Sequence, residues 1–229
     1  MTLQLDWLRG CATALVTPFT ADGAVDDKRL RDLIEYQITG GVRILVPCGT
    51  TGESVTMTEE ENSFVIRTTV ELSRGRAKVI AGTGSNSTAV TIRRSQAARE
   101  LEVDGVLTVA PYYNKPTQEG LYAHFRAIAE AVSGLPVVIY NVPGRTSSNI
   151  AAETTLRLAR DVENIVAVKE ASGNLSQIME ILRGRPDGFR VISGDDSLTL
   201  ALIALGGDGL ISVASNEIPG MMAQLNDLA

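Results

Sequence analysis

Ile165-Val166-Ala167-Val168-Lys169-Glu170 sets four apolar residues in succession ahead of a lysine. A strand with one wet face alternates apolar and polar side chains, whereas an unbroken β-branched run fits a parallel strand covered on both faces. The same kind of run recurs in both directions from this point. Short apolar runs at 12–16, 43–46, 78–82, 105–109 and 137–140 precede it, and runs at 190–193 and 209–212 follow. Amphipathic stretches separate them. Leu30, Leu33, Ile34 and Ile38 mark one, Leu175, Ile178, Met179 and Leu182 another, and Leu198, Ala201, Leu202 and Leu205 a third. Thr58-Glu59-Glu60-Glu61 has the spacing of a capping box and opens a helix. Strand-then-helix units repeated along 229 residues predict an α/β chain folded as a (β/α)8 TIM barrel. No linker or compositional break interrupts it, so one domain over 1–229 is expected. A doubly wound open sheet would carry a glycine fingerprint after its first strand, where Thr17-Pro18-Phe19 stands instead.

Composition removes several function classes. Hydrophobic residues at 44% and charged residues at 21% suit a globular core. A net charge of −6 argues against nucleic acid as a partner. No apolar run reaches the ~18–20 residues that span a bilayer, so no membrane partner is expected. Residues 1–10 lack the basic-then-apolar layout of a signal peptide, which points to the cytoplasm. Cys11 and Cys48 are the only cysteines and His124 the only histidine, so no metal site is expected and acid–base work falls to Lys, Tyr, Asp or Glu. His124 sits in a helical pattern with Leu121, Phe125, Ile128 and Val132 and reads as a helix-surface or helix-edge residue.

Barrel active sites lie at the carboxyl ends of the strands. There the sequence puts Gly49-Thr50-Thr51-Gly52-Glu53-Ser54, Gly82-Thr83-Gly84-Ser85-Asn86, Pro111-Tyr112-Tyr113-Asn114-Lys115-Pro116, Tyr140-Asn141-Val142-Pro143-Gly144-Arg145-Thr146 and Ser193-Gly194-Asp195-Asp196. Lys169 closes a buried strand, and desolvation of an ammonium lowers its pKa. A neutral amine there attacks a ketone to form a Schiff base. The same lysine also suits a structural pairing with Glu170 or another carboxylate, and strand position alone does not choose. Hydroxyls and free N–H groups in the 49–54 turn suit a carboxylate ligand.

Taken in order, these motifs and Val-Lys-Glu-Ala-Ser-Gly at 168–173 resemble the pyruvate-dependent class I aldolases of the N-acetylneuraminate lyase superfamily. The resemblance runs from about Ala12 to Ser212. It implies pyruvate as first substrate, no cofactor, and a homo-oligomer, usually a tetramer of tight dimers. Within the family the motifs are most similar to the synthase branch, which condenses pyruvate with aspartate 4-semialdehyde in lysine and diaminopimelate biosynthesis. By that resemblance Lys169 is the Schiff-base lysine and Tyr140 the acid–base residue. Thr50 is a relay hydroxyl to Tyr113, which a neighbouring subunit contributes. Thr51 holds the pyruvate carboxylate, Arg145 binds the carboxylate of the second substrate, and Gly194 and Ile211 contact the reacting groups through backbone. Ser54, Asn86 and Tyr112 match the pocket where lysine inhibits responsive members. Glu59 and Asn62 stand where those members often carry histidine or another ring, and Val90 where they carry a glutamate. Weak inhibition is the expectation. Competing readings are a sister lyase acting on sialic acid or a keto-sugar acid, which usually differs at Arg145, and a non-catalytic truncated barrel. The family normally continues into a helical C-terminal domain, so the last helix, with Met222, Leu225 and Leu228 as its expected buried stripe, reads as truncated at Ala229.

Overall fold

The structure, a computed structural model, describes residues 5–228. Eight parallel strands, β1 Gly10–Ala14, β2 Ile44–Val46, β3 Lys78–Gly82, β4 Gly105–Val109, β5 Val137–Asn141, β6 Ile165–Glu170, β7 Arg190–Ser193 and β8 Gly209–Ser212, close into a barrel in sequence order. The helices around it are α1 Asp27–Thr39, α2 Glu59–Ser73, α3 Thr88–Glu100, α4 Gln118–Ala131, α5 Pro143–Thr146, α6 Ala152–Asp161, α7 Leu175–Gly184, α8 Thr199–Ala204 and α9 Pro219–Leu228. The (β/α)8 expectation holds.

The core has two layers. Leu45, Val79, Val106, Ile139 and Val168 pack outward against Leu30, Ile34, Val65, Phe125 and Ile178 of the helices. Ala12, Ile44, Ile80, Leu107, Val138 and Ile211 fill the barrel interior. Strand β6 departs from simple alternation. Val166 and Ala167 both join the interior layer, at a register irregularity opposite Val137 and Val138. A bulge re-aims every side chain beyond it. Here it turns Val168 outward, sends Lys169 into the barrel and puts Glu170 on the helix side.

The capping box forms as read: Thr58 Oγ1 accepts from Glu61 N–H and the Glu61 carboxylate accepts from Thr58 N–H. Strand β1 ends two residues earlier than expected. Beyond Ala14 the Val16 N–H donates to Asn216 Oδ1, and the ladder gives way to a side-chain partner. Helix α9 buries Pro219, Met222 and Ala223 but leaves Leu225 exposed and Leu228 79% exposed, so the expected stripe is wrong at two positions. Its contact with the barrel is the small patch of Cys11, Leu210, Met222 and Ala223, which one turn of helix covers. Helix α7 is rotated from its predicted face. It buries Gln177, Ile178 and Ile181 and exposes Met179, because the Gln177 amide turns inward to a carboxylate. His124 is also not a surface residue. It is 5% exposed, its Nδ1 lies 2.9 Å from Thr88 Oγ1, and its Nε2 meets no partner among the described residues.

Candidate active site

Strands β5 and β6 set Tyr140 and Lys169 side by side in the ladder. Both turn into the barrel mouth, with Lys169 Nζ 4.3 Å from the centroid of the Tyr140 ring. Lys169 is 5% exposed. Its burial lowers the ammonium pKa to about 8; Asp196 opposes that fall and Arg145 reinforces it. Burial raises the Tyr140 phenol, with Arg145 opposing. The pairing of Lys169 with Glu170 does not form. The Glu170 carboxylate lies on the other face of β6 and bonds to Asn141, Ser172 and Gln177.

Gly194 explains how the lysine stem is held. A Cβ there would come 2.9 Å from Lys169 Cε and 2.8 Å from Ala171 Cβ, so the stem rests on bare backbone. The Gly194 N–H donates to Glu170 O at 2.8 Å, which fixes that backbone. Asp196 is a residue the sequence motif displayed without marking as functional. Its carboxylate accepts from Ser212 Oγ at 2.5 Å and from the N–H groups of Val213 and Ala214, holding a negative charge whose field reaches Lys169. Ile211 is buried in the interior layer with Tyr140, paired to Ala12 of β1.

Tyr140 lines a cavity of about 230 Å³, whereas Lys169, Thr51, Gly194 and Ile211 do not. Thr50, Ser54, Tyr112, Tyr140 and Arg145 line it, so one chain brings together catalytic, substrate and inhibitor-pocket candidates. The turn beneath Thr50 is held by Gly52 N–H to Gly49 O and Glu53 N–H to Thr50 O. Thr51 is half-buried beside it. Neither Thr50 nor Thr51 N–H bonds to another described residue, which leaves two donors for an anion. A wider cleft of about 1130 Å³ opens on residues at the amino end of the barrel, away from this chemistry. Its Arg74 and Lys78 are matched by Glu102 and Asp104.

Other candidates lie apart. Tyr113 is 87% exposed, with a positive φ of 73° held by its N–H to Thr146 O. It does not line its own cavity. Asn86 is half-buried and accepts at its carbonyl from Asn114. Glu59 pairs with Arg93 and Arg94, and the Asn62 amide is tied to Ser54 O and Thr58 O. Cys48, Glu53, Tyr113, Lys115 and Ser147 all take positive φ on loops at this mouth. Non-glycine residues persist in that region only where their surroundings over-determine them. Among the described residues no group of three or more His, Cys, Asp or Glu side chains gathers to hold a metal ion.

Comparison with known proteins decides the family. Residues 7–229 match the Dihydrodipicolinate synthetase family. The chain belongs to it. A 4-hydroxy-tetrahydrodipicolinate synthase of Chloroherpeton thalassium is 55% identical over 223 residues, covering 97% of this chain and 74% of that protein. Dihydrodipicolinate synthase of Aquifex aeolicus superposes with a TM-score of 0.93 at 47% identity, over 96% of this chain and 74% of that one. The enzyme of Acinetobacter baumannii, solved as a complex with pyruvate, superposes at 0.93 with 44% identity, over 96% of this chain and 75% of that one. The chain thus spans about three quarters of the length of its dihydrodipicolinate synthase relatives. No helix among the described residues is long and apolar enough to cross a membrane.

Proposed function

We propose that this chain condenses pyruvate with aspartate 4-semialdehyde to 4-hydroxy-tetrahydrodipicolinate through a Schiff base at Lys169. The observation that carries the reading is a buried lysine, unpaired among the described residues, with its pKa lowered to about 8 and its Nζ over the ring of Tyr140, which lines a cavity together with Arg145. The neutral amine adds to the pyruvate ketone and water leaves, giving an imine that draws electrons from the methyl group. Loss of a methyl proton gives an enamine, which forms the new carbon–carbon bond to the aldehyde carbon. The amine of the second substrate then closes on the imine carbon and releases Lys169. Tyr140 shuttles the protons. The Thr50–Thr51 turn receives the pyruvate carboxylate, with Gly194 and Ile211 bounding the reacting atoms, and Arg145 receives the carboxylate of the second substrate.

A second copy of the chain completes this reading. Tyr113 is 87% exposed and does not line the cavity of its own chain, which supports a place for it beside Thr50 of a neighbouring subunit in a cytoplasmic homo-oligomer. The test is borohydride reduction in the presence of pyruvate, with the labelled peptide mapped by mass spectrometry. A pyruvate-derived adduct on Lys169 is expected. Labelling elsewhere, or none on folded protein, overturns the aldolase mechanism. Turnover of sialic acid in preference to aspartate 4-semialdehyde overturns the choice of second substrate.

A further inference from the structure

Glu170 is 1% exposed, and among the described residues no cation pairs with it; its partners are amides. Asn141 Nδ2 donates to both its oxygens at 3.2 and 3.1 Å, Ser172 N–H donates at 2.8 Å and Gln177 Nε2 at 3.3 Å. An uncompensated carboxylate is expensive to bury, and the donors that surround it must be kept in place for it to remain. Those donors reach the loop that carries Arg145. Asn141 Oδ1 accepts from Ile150 N–H at 2.9 Å, and Asn141 Nδ2 also donates to Asn149 Oδ1 at 2.9 Å. Gln177 bonds to Asn149 and to Ile150 O. The segment between Asn141 and Ile150 is therefore anchored at both ends to one carboxylate, and Arg145 lies on the short helix α5 between the anchors.

We propose that Glu170 is a positioning residue that locks the Arg145 loop to the strand bearing Lys169 and so sets the binding geometry of the second substrate. The proposal rests on the functional reading above and adds a residue to it. In the ladder Asn141 and Glu170 follow Tyr140 and Lys169 by one position, so the inner pair faces pyruvate while the outer pair holds the loop. A carboxylate accepts on both oxygens; a glutamine would turn an NH2 toward one of these donors and leave it unpaired. The orientation of the Asn141 amide, and with it the bond to Ile150, depends on the acid.

The experiment separates the two substrates in Glu170→Gln. Borohydride-trapped pyruvate adduct on Lys169 should form at close to the wild-type rate, while KM for aspartate 4-semialdehyde rises about tenfold or more, as for loss of a charge-assisted contact. In an Arg145→Ala background the same change should raise KM no further. Asn149→Ala, at an exposed position, should reproduce the KM effect if Glu170→Gln does not fold. Equal losses in adduct formation and KM, or additive effects with Arg145→Ala, overturn the positioning role. Failure of the wild-type protein to trap pyruvate would overturn the functional reading instead.

Discussion

Replacing Lys169 with methionine should make the protein more stable while abolishing its chemistry. The folded protein holds this amine at a pKa of about 8 against an ordinary value of 10.5, chiefly through burial. That difference corresponds to about 3 kcal/mol of destabilisation wherever the amine is protonated in both states. Methionine keeps a similar volume and stem and carries no charge to desolvate. At pH 7 the Lys169→Met protein should therefore gain about 3 kcal/mol, or roughly 6–12 °C in Tm for a chain of this size. The sign changes with pH in a defined window. Between about pH 8 and 10.5 the unfolded chain binds a proton that the folded protein does not, so wild-type stability rises with pH across that range. The gap to the variant should close there and remain constant below pH 8. Thermal unfolding of both proteins at pH 7 and pH 10.5 measures this. A variant no more stable than wild type at pH 7, or a gap unchanged at pH 10.5, would refute the claim that desolvation of Lys169 is what prepares it.

The rate of pyruvate adduct formation should rise about tenfold from pH 7 toward pH 9.5 and level off, following the neutral amine of Lys169; a flat profile in stopped borohydride trapping contradicts this. Gly194→Ala should cost about 1–3 kcal/mol and sharply reduce adduct formation, since its methyl enters the space of Lys169 Cε; a variant that traps normally would show that the stem has room. His124, whose pKa burial lowers to about 4, should withdraw about 3 kcal/mol of stability as pH falls from 6.5 to 4. His124→Gln should flatten that fall in thermal unfolding, and unchanged acid sensitivity would place its cause elsewhere. Lysine is expected to inhibit only above about 1 mM, because Val90 offers no carboxylate, Glu59 is engaged by Arg93 and Arg94, and the Asn62 amide is spent on backbone. Calorimetric titration with parallel initial rates decides it.

The barrel was legible because several strands are apolar on successive positions, and most are followed by a polar turn, glycine-bearing after β2, β3, β5, β6 and β7. The candidate site residues stand in motifs at the strand ends. What the sequence could not carry was phase. Whether Lys169 or its neighbours face the interior depends on the irregularity at Val166 and Ala167, which leaves no mark in residue type. The same difficulty hid the network around Glu170. Asn141, Asn149 and Gln177 are ordinary loop and helix residues until the outward turn of Glu170 gives their amides a common acceptor. Gln177 in particular displaces Met179 from the buried face of α7, a choice that apolar periodicity alone gets wrong. His124 was misplaced because a polar residue in an amphipathic helix is read as outward, whereas Thr88 on the adjacent helix supplies a partner that buries it.

The seam between β1 and β8 has a consequence for how the molecule is made. Gly10 faces Gly209 so closely that a Cβ on the latter would lie 2.3 Å from the Gly10 carbonyl, and Asn216 ties back to Ala14 and Val16 across sequence separations of 202 and 200 positions. During synthesis the first strand leaves the ribosome with one flank unsatisfied and keeps it so until the last strand emerges. At about 5–20 residues per second that interval is roughly 10–40 s. Until β8 is made, the edge of β1 that it will cover is a row of unpaired N–H and C=O groups open to pairing with another chain.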